Sequence, residues 1–337
     1  MPYTKEDIFS LIKDRIKEGK KGYTASVPTQ EILDMVCGEL SIQTQTFKSL
    51  LNSLDSQTRI VYNEYESWRL VEENGVPRDT RSLRPVTDDS LKNCHGRWTE
   101  ALFDRIVWDT LSEINRNSTG DEYFVYVKLP ERRNPTNENP RKKNAKVWTS
   151  LLGKEPLDNI EIRKKSLRTP NVKLESSNPD AVILRLKKSE CKTEWDPSKP
   201  YSAIKERTEA VFTECKGLVQ TANQLIAFLS VKASTRSDRR YQFIVEGNST
   251  KGLYAAAFDT PDCDLKIGAL MRNKYYAFSL EGERKADHRV LDGLIMFASL
   301  FNEAAVGHVC AIDEFNNCEN PEQVIEVIKR ICSHYQA

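Results

Sequence analysis

From residue 4 onward, the apolar positions Ile8, Leu11, Ile12 and Ile16 recur at helical spacing behind Thr4, a residue type that caps helix N-termini. This pattern predicts a first helix that runs to Gly19. A second helix is expected from about Pro28 to Leu40, and a third from about Gln43 to Leu54. The stretch "RIVYNEYESWRLV" (59–71) then alternates apolar and polar positions, the period of a hairpin. Three helices and a hairpin describe two kinds of unit: a winged helix that contacts DNA, or a small helical module for packing or dimerisation.

Breakers and charge dominate 72–90, which reads as a linker or surface loop. An amphipathic helix follows over 95–114, with Trp98, Leu102, Ile106 and Trp108 among its apolar positions, and then a strand at 123–130. Residues 131–147 are polar and basic, the composition of a loop. After the turn "SSNPD", a buried strand begins at Asp180; a helix is expected from about Ser202, a second buried strand over 224–232, and a helix from near Ser237. Strands at 274–280 and 307–313 bracket a further helix, and the chain closes on a helix over 321–334. Such a mixture predicts an α/β fold with a central mixed sheet flanked by helices. The expected organisation is a mainly helical, winged-helix-like module at 1–72, a linker at 73–95 and a larger domain at 96–337.

Composition narrows the class more than the chemistry. The 337 residues are 39% hydrophobic and 29% charged, as in soluble globular proteins. The apolar run "GLIMFASLF" is far shorter than a membrane span, and the N-terminal stretch lacks the pattern of a signal peptide, so a cytoplasmic protein without a membrane partner is expected. Eight cysteines are scattered without a CxxC pair and four histidines are equally dispersed. Zinc spacing is therefore absent, and reduced, buried thiols are expected. A net charge of +1 does not advertise nucleic acid, but phosphate contacts require only a local basic face.

Two stretches carry candidate chemistry. Asp180 opens a strand directly after Pro179, and an Asp there, followed later by an acidic residue and a lysine, is the skeleton of metal-dependent phosphodiesterases of the PD-(D/E)xK type. Carboxylates are hard oxygen ligands for Mg²⁺, and lysine orients or deprotonates water and offsets charge developing on phosphorus. The stretch "TECK" offers Glu214 and Lys216, but Ile204, Val211, Cys215, Leu218 and Val219 recur at helical spacing around it. On a helix, residues two apart point about 200° apart and do not serve one metal. The alternative is "LIAFLSVK", where strand geometry puts Ser230 and Lys232 on one face. The next helix can supply its missing carboxylate through Glu246, two turns in and one turn beyond Gln242, although a lone glutamate there is also what the surface of an amphipathic helix carries.

The string K-x-S-x-R-S-D-R-x-Y-Q-x-x-x-E-G-N from Lys232 to Asn248 resembles the signature of the CCGG-family type II restriction endonucleases, the NgoMIV- and SgrAI-like group that cuts RCCGGY-type sites. In that family the second acidic residue has moved to the helix after the lysine strand, and a small residue fills the vacated place. Ser230, Lys232 and Glu246 match this arrangement, as do "SSNPD" with Asp180 and "GRWTEAL" with Glu100. The resemblance covers residues from about Gly96 to the C-terminus and implies a PD-(D/E)xK core. It also implies catalytic roles for Asp180, Lys232, Glu246, Ser230 and Glu100, with metal on Asp180 and Glu246. Arg236, Asp238 and Arg239 would read the inner bases, with Gln242 on the same DNA-facing surface. Arginine pairs bidentately with guanine and aspartate accepts from cytosine.

The implied activity is Mg²⁺-dependent hydrolysis of double-stranded DNA within a palindrome containing CCGG, leaving 5′-phosphate ends, with Mn²⁺ able to substitute. The implied assembly is a homodimer or homotetramer, with a cognate DNA methyltransferase as functional partner. Two rival readings differ in class: a less specific PD-(D/E)xK repair or phage nuclease using Glu214 and Lys216, and a non-catalytic winged-helix DNA-binding regulator.

Overall fold

The computed structural model describes residues 3–19, 22–37, 45–71, 83–129, 148–166, 179–191, 195–233, 237–258, 274–280 and 312–335. The chain divides into two compact units. One comprises Met1–Ile106, Ser198–Ile204 and Glu319–Gln323; the other comprises Val107–Pro197, Lys205–Cys318 and Val324–Ala337.

The first unit opens on α1 (Lys5–Asp14), which Thr4 starts with a reciprocal cap: Asp7 N–H donates to Thr4 Oγ1 at 3.2 Å and Thr4 N–H donates to Asp7 Oδ2 at 2.9 Å. The expected run to Gly19 does not occur. The helix ends at Asp14, and the next residues form a hairpin, β1 (Ile16–Gly19) against β2 (Gly22–Ala25), with Ile16 opposite Ala25. Glycines at both inner ends of this pairing weaken helix and suit a tight reversal.

Helix α2 (Thr29–Cys37) follows, then α3 (Phe47–Val71), a single helix of 25 residues. The hairpin expected at 59–71 is therefore absent. Phe47, Leu50, Leu51, Leu54, Val61, Tyr62 and Tyr65 are all buried, a stripe of helical period that continues through the supposed break. The β-branched and aromatic residues of "RIVYNEY" imitate a strand locally, but Phe9 of α1 meets Tyr65 edge-on at 5.6 Å, and that packing selects the helix. Among the described residues up to Val71 there are three helices, and the hairpin lies between the first and second of them. Asp34 of α2 ties in a distant segment by accepting the backbone N–H groups of Tyr201 and, at 3.0 Å, Ser202.

Helix α4 (Asp88–Asn117) begins in the first unit, where Trp98 Nε1 donates to Thr29 O at 2.7 Å, and its last part belongs to the second. The second unit is built on a five-stranded sheet of order β3-β4-β5-β6-β7. Its strands are β3 (Glu122–Lys128), β4 (Ala181–Lys187), β5 (Leu225–Lys232), β6 (Tyr275–Ser279) and β7 (Glu314–Asn317). The first three pair antiparallel, and β5, β6 and β7 run parallel, so the sheet is mixed as expected. All eight residues of β5 are buried, which is why it reads as an unbroken apolar run. Of the strand expected at 307–313, residues 307–311 lie outside the described residues, and β7 begins at Glu314.

Helices α5 (Lys154–Ser166), α6 (Ile204–Glu214), α7 (Ser237–Phe258) and α8 (Pro321–Ser333) complete the described elements. Helix α5 packs on α7, and Asn159 Nδ2 donates to Ala257 O at 3.0 Å. Val324, Ile328 and Ile331 bury one face of α8 at spacings of four and three. The six described cysteines are free and buried. Among the described residues no helix is long and apolar enough to cross a membrane.

Candidate active site

Strand register brings the candidate residues together. Ala181 pairs with Leu229 in the antiparallel β4–β5 ladder, so Asp180, one residue before β4, reaches the C-terminal end of β5 beside Ser230. Asp180 Oδ2 accepts from Val231 N–H at 2.6 Å and from Lys232 Nζ at 3.1 Å, and lies 3.1 Å from Ser230 Oγ. Among the described residues its Oδ1 accepts none.

Glu246 comes to the same place from α7. Its Oε2 accepts from Ser230 Oγ at 2.9 Å and from the Tyr275 hydroxyl at 3.0 Å, and its Oε1 accepts from Gln242 Nε2 at 2.8 Å. Ser230 is fully buried, and Lys232 and Glu246 are 8% and 7% exposed. Phe243 lies beneath the lysine, its ring centroid 5.9 Å from Nζ, within cation–π range.

The electrostatics follow from this burial. Loss of solvent pushes the Glu246 carboxyl above its ordinary value, Asp180 adds to the rise, and Lys232, Ser230 and Gln242 oppose it. Ser230 has a single hydroxyl proton and two carboxylates within reach, so one carboxylate always faces a lone pair. Tyr275 is fully buried and its phenol is held well above the usual range, first by desolvation and then by Glu246. It therefore remains a hydrogen-bond donor.

Four of the candidates, Asp180, Ser230, Lys232 and Glu246, thus form one hydrogen-bonded set, and Gln242 joins it. Glu100 stands half-buried on α4 in the first unit, whereas this set lies wholly in the second. Arg236 is outside the described residues. Asp238 and Arg239 fall in the first turn of α7, four and three residues before Gln242. Glu214 and Lys216 do not join: Glu214 is the last residue of α6 and accepts from Cys191 Sγ at 3.4 Å, and Lys216 lies over Phe212. Gly217, at φ 72°, closes that helix with the left-handed residue typical of C-termini.

The residue that sequence reasoning missed is Tyr275. Its strand was expected, but only the parallel register, Phe228 opposite Tyr275 and Ser230 opposite Ala277, puts the phenol on the face of Ser230 and Lys232. A second missed feature is the fully buried Lys251, whose Nζ lies 2.7 Å from Asp313 Oδ2. The same Asp313 oxygen accepts the Tyr275 backbone N–H at 2.6 Å.

A family model described as "Cfr10I/Bse634I restriction endonuclease" matches residues 36–333. No curated protein matches the chain. Two solved structures share its fold at 20% identity, each match covering 94% of this chain and 96% of the other. They are "Bse634I restriction endonuclease", with a TM-score of 0.66, and "Type IIF restriction endonuclease Bse634I with cognate DNA", with a TM-score of 0.65. A five-stranded mixed sheet, a lysine strand flanked by two carboxylates, and a family match over most of the chain converge, and the chain belongs to the Cfr10I/Bse634I restriction endonuclease family, a family of type II site-specific deoxyribonucleases.

Proposed function

We propose that this chain is a Mg²⁺-dependent endonuclease that hydrolyses both strands of DNA within a palindrome containing CCGG, with Mn²⁺ able to replace Mg²⁺. The carrying observation is the hydrogen-bonded set of Asp180, Ser230, Lys232 and Glu246 at the end of β5. The donor chemistry fits a hard cation: two carboxylates converge on Ser230 beside a lysine. Mg²⁺ is commonly held by one or two carboxylates plus water and substrate phosphate. Asp180 and Glu246 would hold it, and when bound it would polarise the scissile phosphate and acidify water.

The chain's own groups do the rest. Lys232, fixed by Asp180, orients the attacking water and offsets negative charge gathering on the phosphoryl oxygens. Ser230 keeps the two carboxylates apart and hydrogen-bonded. Water adds to phosphorus, the bond to the 3′ oxygen breaks, and the 3′ oxygen takes a proton, leaving a 5′-phosphate and a 3′-hydroxyl. Arg236, Asp238, Arg239 and Gln242 contact DNA, with the first three reading the inner base pairs. Their placement at and before the start of α7 suits a helix N-terminus in the major groove. The likeness to the Bse634I complex "with cognate DNA" supports double-stranded DNA as the partner. A palindromic site read symmetrically calls for a homodimer or homotetramer. A methyltransferase protecting the same site would be the functional partner in the host.

The rival nuclease using Glu214 and Lys216 is disfavoured because Glu214 closes a helix and Lys216 lies over Phe212 just beyond it, whereas that reading needs both on one face of a strand. The test is digestion of unmethylated phage DNA with Mg²⁺, followed by sequencing of the ends. Ends converging on one CCGG-centred palindrome are expected. Glu246→Ala should abolish cutting and Glu214→Ala should retain it; the reverse pattern overturns the assignment.

A further inference from the structure

Glu246 is buried, and two of its three donors are buried with it. Ser230 and Tyr275 are both fully enclosed and both hold Oε2. The third donor differs. Gln242 is exposed, stands one helical turn closer to the start of α7, and places its Nε2 on the other oxygen, Oε1. Glu246 is therefore fixed from below through one oxygen and reached from outside through the other. Of the groups described around it, Gln242 is the one that touches both the buried carboxylate and the surface proposed to meet DNA.

We propose that Gln242 is a latch between recognition and metal uptake: without DNA its amide occupies Oε1 of Glu246, and engagement of the cognate duplex draws that amide onto the DNA and frees Oε1 for the cation. This rests on the DNA-cutting role proposed above and adds its regulation. An amide suits the task because it has donor and acceptor capacity for a phosphate or a base edge as well as for a carboxylate. Both states are hydrogen-bonded, so the exchange leaves no buried group orphaned. The consequence is a cut site that gathers its metal fully only on the correct sequence.

The test removes the amide without shortening the chain, with Gln242→Met, and repeats the measurement with Gln242→Ala. Mn²⁺ binding to the DNA-free protein is read from the electron paramagnetic resonance of free Mn²⁺. A hydrogen bond to a charged group is worth roughly 1.5–3 kcal/mol, so both variants should bind Mn²⁺ about tenfold tighter than the unmodified protein, or better. Adding Glu246→Gln to either variant should erase the gain. Unchanged or weaker Mn²⁺ binding, or a gain that survives Glu246→Gln, overturns the latch; weaker binding would make Gln242 a positioning residue instead.

A second arm reads fluorescence anisotropy of a CCGG-centred duplex and a scrambled duplex with and without Ca²⁺. Ca²⁺ should tighten the CCGG duplex preferentially in the unmodified protein and both duplexes alike in Gln242→Met. A preference that survives the substitution counts against the latch. Failure of the unmodified protein to cut CCGG-bearing DNA with Mg²⁺ defeats the proposed recognition site, and the DNA-free Mn²⁺ titration still decides the latch.

Discussion

Replacing Lys251 by Met tests how α7 is fixed to the sheet. The lysine side chain is 1% exposed and its Nζ lies 2.7 Å from Asp313 Oδ2; the aspartate side chain keeps 26% of its surface. Met fills nearly the same volume, so the packing loss is small and the effect is electrostatic. Stripping one member from a buried ion pair costs roughly 3–5 kcal/mol, because the partner is left charged and uncompensated. Asp313 retains some solvent and the Tyr275 N–H, which places Lys251→Met near the lower end, about 3 kcal/mol. In Lys251→Met/Asp313→Asn the remaining charge is gone and the Asn carbonyl still accepts from Tyr275 N–H, so the double variant should lose only about 1 kcal/mol. Asp313→Asn alone strands the buried Lys251 ammonium at a similar cost, so the two single losses should sum to far more than the loss of the double variant.

Urea unfolding of the two variants and of Asp313→Asn supplies the cycle. The pH dependence gives an independent check. Burial already raises the Asp313 carboxyl above its ordinary value, and Lys251 is the largest influence lowering it. Without the lysine the folded value rises further. The folded state then holds a proton that the unfolded state releases, so stability falls as pH rises through that window and recovers as pH drops. The Lys251→Met defect should therefore shrink between neutral pH and about pH 5. A single variant costing under about 1 kcal/mol, or a double variant as unstable as the single, refutes the reasoning.

Tyr275→Phe removes one of the two donors on Glu246 Oε2, and the Mg²⁺ concentration for half-maximal cleavage should rise about tenfold, while metal-free DNA binding stays unchanged. The raised Glu246 carboxyl must be ionised to hold a cation, so cleavage should decline as pH falls, starting above the usual glutamate range. Because Mg²⁺ competes with that proton, higher Mg²⁺ should move the midpoint to lower pH; a midpoint indifferent to Mg²⁺ excludes Glu246 as a ligand. Asp34→Ala strips the acceptor from the Tyr201 and Ser202 backbone N–H groups and should destabilise the protein by about 2 kcal/mol, measured by urea unfolding.

What was legible in the sequence follows from how local each signal is. β5 announced itself as eight consecutive buried residues, and the helical period around Cys215 was enough to demote Glu214 and Lys216. The family string between Lys232 and Asn248 located Glu246 because both residues sit on consecutive elements at fixed separation. Arg59 to Val71 misled, since strand-like residues there are overruled by contacts with α1 some 50 positions earlier. α5 escaped notice because its surface residues are largely charged, with Ile160 as its one strongly buried aliphatic side chain among the described residues. Tyr275 was invisible for a different reason. Nothing in "KYYAFSL" tells which tyrosine faces the site; the parallel register with β5 decides it.

The antiparallel register of β4 on β5 sets what changes when the carboxylate comes from α7 rather than from position 230. Asp180 reaches the β5 edge directly beside Ser230, and a second acid there would set two like charges opposite each other in the ladder. With serine in that place, one hydroxyl lies between Asp180 and Glu246 and contacts both. The arrangement makes the second carboxylate depend on how α7 is seated. Its described anchors include Phe243, edge-on to Phe315 of β7 at 6.1 Å, Lys251 on Asp313, and Ala257, whose carbonyl accepts from Asn159, all C-terminal to Asp238 and Arg239. A helix held from its middle to its end, with a proposed base-reading turn at its start, is a short lever that carries Glu246 among its anchors. In a strand-borne carboxylate the metal site would be set by the sheet alone; here, the contacts proposed for the first turn of α7 would act on the proposed ligand itself.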